Sequence, residues 1–469
     1  MAQQKSVRDF VEAAKKDFSI VEKNLGQALD DLRESQKNGL NYIEAFDETL
    51  IVPQLEALRK FQKKGKLFGV PITVKDALCV KGLESKAGSK ILKGYVPLFD
   101  ATAVAKAREE GAIILAKTTQ DEFGFGTFAT NTEKVPKNPF DNSRSCGGSS
   151  GGAGGFTKYT SAVHVAIGES TGGSIAAPAS FCGVAGLTPT YGVVSRYGLI
   201  DYANSLDKIG ALGKTVDDAS ILLEAISGFD ELDSTSLDAK FIAEKGAGQI
   251  KKVAVIKDFV EGCDEEVKKI FAAALEKLRK KGIVVEEVTL PLNSRYALAA
   301  YYIIATCEAS TNLAKLSGLR YGEQGEVEGK HFDEYFSEIR SKFFTAEAKR
   351  RIILGTFARM SGYRDAYYLK AMKVRTKLIN EFNAAFKNYD LLICPTMPVV
   401  APRFEDISKL TPMQNFAMDL CTVPANLAAM PHLSINAGIS SSGLPVGLMA
   451  IAPHLQEKRL YDFGKVAEE

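Results

Sequence analysis

Hydrophobic positions along this chain recur with two periods, and their alternation predicts a layered α/β fold. Val7, Phe10, Val11 and Ala14 recur at the spacing of one helix face, as do Leu50, Leu55, Leu58 and Phe61, so residues 6–62 read as two or three helices. At Leu67 the pattern changes to LFGVPITVKDAL, a short β-branched run of the kind that forms a buried strand, with Lys75 at its end. Asp100 is expected to cap a helix running to Glu110, Gly111 to end it, and residues 112–116 to form the next strand. Residues 180–216 read as loop-rich. A further strand–helix–strand covers 251–290, where Val267, Ile270, Phe271, Ala274 and Leu278 share a helix face. Helical patterns dominate from 297 to 387, residues 391–396 look like a central strand, and 415–451 read as loop with short strands. This β–α–β rhythm suggests a substantially parallel sheet. A helical N-terminal extension (1–62) and one catalytic domain (63–469) form the simplest organisation.

Composition narrows the class. The 469 residues are 45% hydrophobic and 25% charged, with a formal charge of +2, so no strongly basic face for nucleic acid is expected. Seven cysteines lie scattered with no C-x-x-C pair, which suggests neither a disulfide framework nor a metal site and fits a reducing cytoplasm. The N-terminus lacks the apolar core of a signal peptide, and no apolar run approaches the ~20 residues that span a membrane.

Chemistry concentrates between Ser145 and Ser174. Six glycines fall between Gly147 and Gly155 around the pair Ser149–Ser150, and Gly172–Gly173 lead into Ser174. A nest of backbone amides of this kind holds either a phosphate or the oxyanion of acyl transfer. Both serines of the pair satisfy G-x-S-x-G, yet a Ser–His–Asp triad needs a histidine. Only His164, His331, His432 and His454 exist, and His164 lies in an apolar segment suited to the core. The run from Gly210 to Thr215 resembles the end of a phosphate loop, but Lys208 stands where its first glycine is required. Serine chemistry with a lysine base remains. Lys75 could serve if burial or nearby positive charge keeps it neutral; the alternative is a surface or salt-bridged lysine beside Asp76.

Lys75, GGSSGG, TGGS and the block GESTGGSIAAPASFCGVAGLTPTYGVVSRYGLI (168–200) together resemble the amidase signature family. The resemblance implies a mixed, largely parallel sheet flanked by helices on both faces, and a Ser–Ser–Lys triad. Carried across, Ser174 is the acylated nucleophile, Ser150 the bridging serine held through a cis peptide bond, and Lys75 the base. The amides of Thr171, Gly172, Gly173 and Ser174 would form the oxyanion hole. Stretches 300–322, 349–368 and 415–431 resemble more narrowly the A subunits of aspartyl/glutamyl-tRNA amidotransferases. That branch implies a free-glutamine pocket in which Arg351 (or its neighbour Arg350) meets the α-carboxylate and Asp419 the α-ammonium. Tyr301 (or Tyr302), Phe125 and Gly126 would line it. It also implies a B subunit that binds tRNA and uses ATP and Mg, a small C subunit, and no cofactor in this chain. The rival readings are a stand-alone amidase and a non-catalytic scaffold subunit. The chain departs from the family's usual pattern at Ala153, at Glu169–Ser170 in place of Ser-Asp, and at Ala176–Ala177 in place of a polar pair.

Overall fold

A computed structural model describes residues 6–239 and 249–468. Eleven strands form one sheet: β1 (Ile43–Ala45), β2 (Pro71–Lys75), β3 (Ile113–Thr118), β4 (Val165–Ser170), β5 (Ala185–Thr188), β6 (Lys208–Gly213), β7 (Lys252–Ile256), β8 (Val284–Val288), β9 (Leu391–Pro395), β10 (His432–Ile439) and β11 (Pro445–Ile451). Their spatial order is β1-β3-β2-β4-β6-β5-β10-β11-β9-β7-β8. Parallel pairing is confined to two wings, β3-β2-β4 and β9-β7-β8. The centre, from β4 through β6, β5, β10 and β11 to β9, is antiparallel, as is β1 on β3. The sheet is therefore mixed rather than largely parallel: the β–α–β rhythm exists only in the wings, while β10–β11 is a hairpin that needs no crossover.

The amphipathic pattern places the helices well. Val7, Phe10, Val11 and Ala14 are the buried residues of helix Val7–Lys16, and Val267, Phe271, Ala274 and Leu278 are buried on helix Glu265–Lys280. Residues 6–62 also supply β1, the edge strand beside β3, and share the main apolar core with the sheet. Ala101, not Asp100, occupies the N-cap of helix Thr102–Glu109, because the Asp100 carboxylate is taken by the Lys81 amide and the Arg108 guanidinium. Within 180–216 lie β5 and β6, and the phosphate-loop lookalike is largely the buried strand β6. Helices flank the sheet: Gly151–Tyr159 packs on β2 and β4, Val216–Ile226 on β5 and β6, and Glu265–Lys280 on β8 to β11. A second apolar cluster joins the helix Pro291–Asn312 to Phe123, Phe125 and Tyr202, setting a helical layer over the ends of β2 and β4. The site lies under that layer.

Candidate active site

Strand β2 delivers Lys75 to the interior with no exposed surface. Its Nζ donates to Ser149 Oγ at 2.7 Å and to the Glu169 backbone oxygen and Oε2, each at 2.8 Å. The serine seated on the lysine is thus Ser149, not Ser150, and the cis peptide is Gly148–Ser149. Ser150 stands at the N-cap of helix Gly151–Tyr159, its hydroxyl donating to the Glu169 carbonyl at 3.1 Å and its amide to the Ser174 carbonyl at 3.2 Å. Neighbouring residues in a non-helical loop project in different directions, so one serine of the pair faces the lysine while the other opens the helix.

Strand β4 runs parallel to β2 and ends at Ser170, where Thr171–Gly172–Gly173 turn the chain to Ser174. A Cβ on Gly172 would lie 2.8 Å from the Tyr301 hydroxyl, and one on Gly173 would lie 2.4 Å from Thr422 Oγ1, so both positions exclude a side chain. The Ser174 amide already donates to Ser170 Oγ at 3.0 Å. Of the four amides expected to form the oxyanion hole, those of Thr171, Gly172 and Gly173 are uncommitted to any acceptor among the described residues.

Ser174 opens onto a pocket that it shares with Gly126, Thr127, Tyr301, Tyr302, Arg351 and Asp419. Arg351 is buried; its Nε pairs with Glu347 at 2.8 Å and its Nη1 donates to the Tyr202 hydroxyl. Its guanidinium lies 5.0 Å from the Phe125 ring centre and 5.6 Å from that of Phe416. Cation–π contact of this kind holds the planar group in place. Phe125 therefore supports the arginine rather than lining the pocket. Arg350 pairs with Glu347 and is 42% exposed along its side chain, which excludes it from the pocket. Asp419 accepts from Tyr302 at 2.5 Å and from Thr127 at 3.2 Å. Burial pushes its carboxyl up to about 6, opposed by those hydrogen bonds and by Arg351. Both tyrosines take part: Tyr302 binds the carboxylate, and the Tyr301 hydroxyl faces Gly172.

The amidase family pattern matches residues 27–461. The chain belongs to the amidase signature family. Among its amidase relatives, the A subunit of the glutamyl-tRNA(Gln) amidotransferase of Archaeoglobus fulgidus is 46% identical over 417 residues, covering 87% of this chain and 89% of the relative. The protein of the same name in Trichodesmium erythraeum is 43% identical over 417 residues, covering 87% and 85%. The crystal structure of its Thermotoga maritima namesake is 34% identical with a TM-score of 0.80, covering 99% of this chain and 94% of that one.

Other groups at this amidase site carry no motif of their own. Asp121 accepts from the amides of Ala129 at 3.0 Å and Asn131 at 2.7 Å, and burial raises it to about 6. A Cβ on Gly126 or Gly148 would lie 2.3 Å from that carboxyl group, so both glycines make room for it. Thr127, Tyr202 and Phe416 meet the pocket residues only through the fold; Glu347, four residues before Arg351 on one helix, is the partner that spacing alone could have indicated. His164 is a core residue, with Thr73 at 3.1 Å from Nε2, and burial depresses it to about 3. All seven cysteines are buried and free. Among the described residues no helix is long and apolar enough to cross a membrane, and no cluster of three or more metal-binding side chains occurs.

Proposed function

We propose that this chain is the glutaminase component of a tRNA-dependent amidotransferase. One observation carries the reading: beside Ser174 a single pocket holds a fixed guanidinium, Arg351, and a carboxylate, Asp419. A free amino acid bears one charge of each sign, and a site built for it needs the opposite of both; an apolar amide needs neither. Glutamine would place its α-carboxylate on Arg351, its α-ammonium on Asp419, and its side-chain amide at Ser174.

In this reading Ser174 Oγ attacks the amide carbon while its proton passes through Ser149 to Lys75. The oxyanion is received by the amides of Thr171, Gly172 and Gly173, each worth roughly 3–4 kcal/mol in comparable sites. Collapse breaks the C–N bond, and the leaving nitrogen recovers the proton from Lys75 through Ser149 as ammonia. Water then releases glutamate from Ser174. The names of the relatives support Glu-tRNA(Gln) as the acceptor of the ammonia, with Asp-tRNA(Asn) as the second candidate. A companion B subunit would bind tRNA and activate the misacylated residue with ATP and Mg, and a small C subunit would join the two, in the cytoplasm. The formal charge of +2 agrees with leaving the tRNA to a partner.

The test is ammonia release from glutamine, acetamide and an aryl amide, by the chain alone and co-expressed with candidate partners. Glutamine is expected to be preferred, and Arg351→Ala and Asp419→Ala to abolish that preference. Efficient cleavage of the simple amides with no turnover of glutamine would overturn the reading in favour of a stand-alone amidase.

A further inference from the structure

Behind Lys75 lies a run of buried polar groups that the mechanism above does not use. Glu169 Oε1 and Asp207 Oδ1 each lie 2.9 Å from the single hydroxyl of Thr171. Lys75, Glu169, Thr171 and Asp207 are all at most 2% exposed. A hydroxyl has one hydrogen to donate and can otherwise only accept. Both contacts become hydrogen bonds only if one of the two carboxyl groups is protonated and donates to Thr171. Asp207 is the poorer candidate for that proton, because its two oxygens already accept from the amides of Tyr202 at 2.9 Å and Ala203 at 2.9 and 3.1 Å. Backbone donors of this kind favour the charged form.

We infer that Glu169 is held as the neutral acid, donating through Oε1 to Thr171, which donates in turn to the Asp207 carboxylate, and that it positions Lys75 without acting as its counter-ion. A neutral amine has two N–H groups and one lone pair. At rest the ammonium donates to Ser149 Oγ at 2.7 Å; once that proton is lost, the Glu169 backbone oxygen and Oε2 keep the two remaining N–H groups at 2.8 Å and the lone pair faces the Ser149 hydroxyl. An anionic Glu169 would instead favour the ammonium form, which cannot accept a proton. Before Lys75 gives up its proton, with Glu169 neutral and Asp207 charged, the cluster has no net charge, the least costly state for a buried group of ions. Burial and the facing Glu169 raise the proton affinity of Asp207 well above the carboxylate norm, so the two carboxyl groups hold their proton as a pair. The other ionisable groups bearing on the cluster are Asp121, which feels both Lys75 and Arg351, and Asp201 beside Asp207. They are common to all the variants below.

The inference rests on the Ser174–Ser149–Lys75 relay. It is read through the rate at which a fluorophosphonate labels Ser174 as a function of pH, which involves no glutamine; loss of labelling in Ser174→Ala tests the nucleophile itself. Labelling rises with pH as Lys75 loses its proton. The amide introduced by Glu169→Gln reproduces the neutral acid, accepting from Lys75 and donating to Thr171, so this variant is expected to leave the profile in place. Glu169→Ala, which misaligns the amine, should slow labelling by about 100-fold. If Glu169 were the anion, Glu169→Gln would move the profile down by about 1–3 pH units, and that shift would overturn the inference. So would wild-type labelling by Glu169→Ala. Asp207→Asn reads the same question from the other side. It should let Glu169 ionise and move the profile to higher pH, whereas an unmoved profile would place the proton on Asp207 and refute the assignment.

Discussion

Truncating either serine of the Ser149–Ser150 pair separates two roles that the glycine-rich motif leaves interchangeable. In Ser149→Ala, Lys75 Nζ loses the acceptor at 2.7 Å and keeps only Glu169, so its path to Ser174 is cut. Positioned proton transfer contributes about 10²–10⁴-fold, and the variant should lose acylation by that factor. Ser150→Ala removes one hydroxyl bond of 3.1 Å to the Glu169 carbonyl. A neutral hydrogen bond is worth about 1 kcal/mol, and the corresponding loss is roughly 5-fold. The Ser150 amide, which donates to the Ser174 carbonyl, survives the substitution. The assay is the single-turnover rate of Ser174 acylation, followed by intact mass, with melting temperature recorded for each variant. Near-wild-type acylation in Ser149→Ala, together with a Ser150→Ala defect as deep as that of Ser174→Ala, would refute the ranking.

Four further outcomes follow from the pocket. Arg351→Lys keeps the charge but loses the planar fork between the Phe125 and Phe416 rings; kcat/KM for glutamine should fall about 10–100-fold, the range for a lost charge-assisted bond, with little change in labelling of Ser174 by a neutral probe. Asp419 is raised from 3.8 to about 6 in the folded state, so kcat/KM for glutamine should fall as pH drops through about 6 and the carboxylate that receives the ammonium is protonated. The same displacement means that the folded chain binds this proton more tightly than the unfolded chain. Stability is therefore lost as pH rises from about 4 to 6, by about 3 kcal/mol at 1.36 kcal/mol per unit. Asp419→Asn should accordingly melt higher than wild type at pH 7 and converge with it below pH 4, as calorimetry can check. Gly173→Ala drives a methyl to 2.4 Å from Thr422 Oγ1; it should cost about 1–3 kcal/mol of stability and displace the oxyanion amides, measured as a loss of kcat larger than the loss of folded protein.

The chain by itself determined what depends on local order. Helical spacing identified the face of Val7–Lys16 and of Glu265–Lys280, the β-branched run marked β2 with Lys75 at its end, and the signature block located Ser174 and its flanking glycines. Arg351 and Asp419 were indicated by the stretches that resemble the amidotransferase branch, and the fold brings both side chains to one pocket beside Ser174. The tertiary structure decided whatever depends on direction and on distant neighbours. The antiparallel centre of the sheet arises from β6 and the β10–β11 hairpin, whose short or glycine-containing strands carry weak periodicity. Which serine faces the lysine is set by where helix Gly151–Tyr159 begins, and which arginine turns inward is set by the rings that receive it. Glu169 and Asp207 are 38 positions apart in the chain yet meet on one hydroxyl. Periodicity reports which side of an element is buried, but a proton's location depends on the count of donors and acceptors around it, and only the folded chain assembles that count.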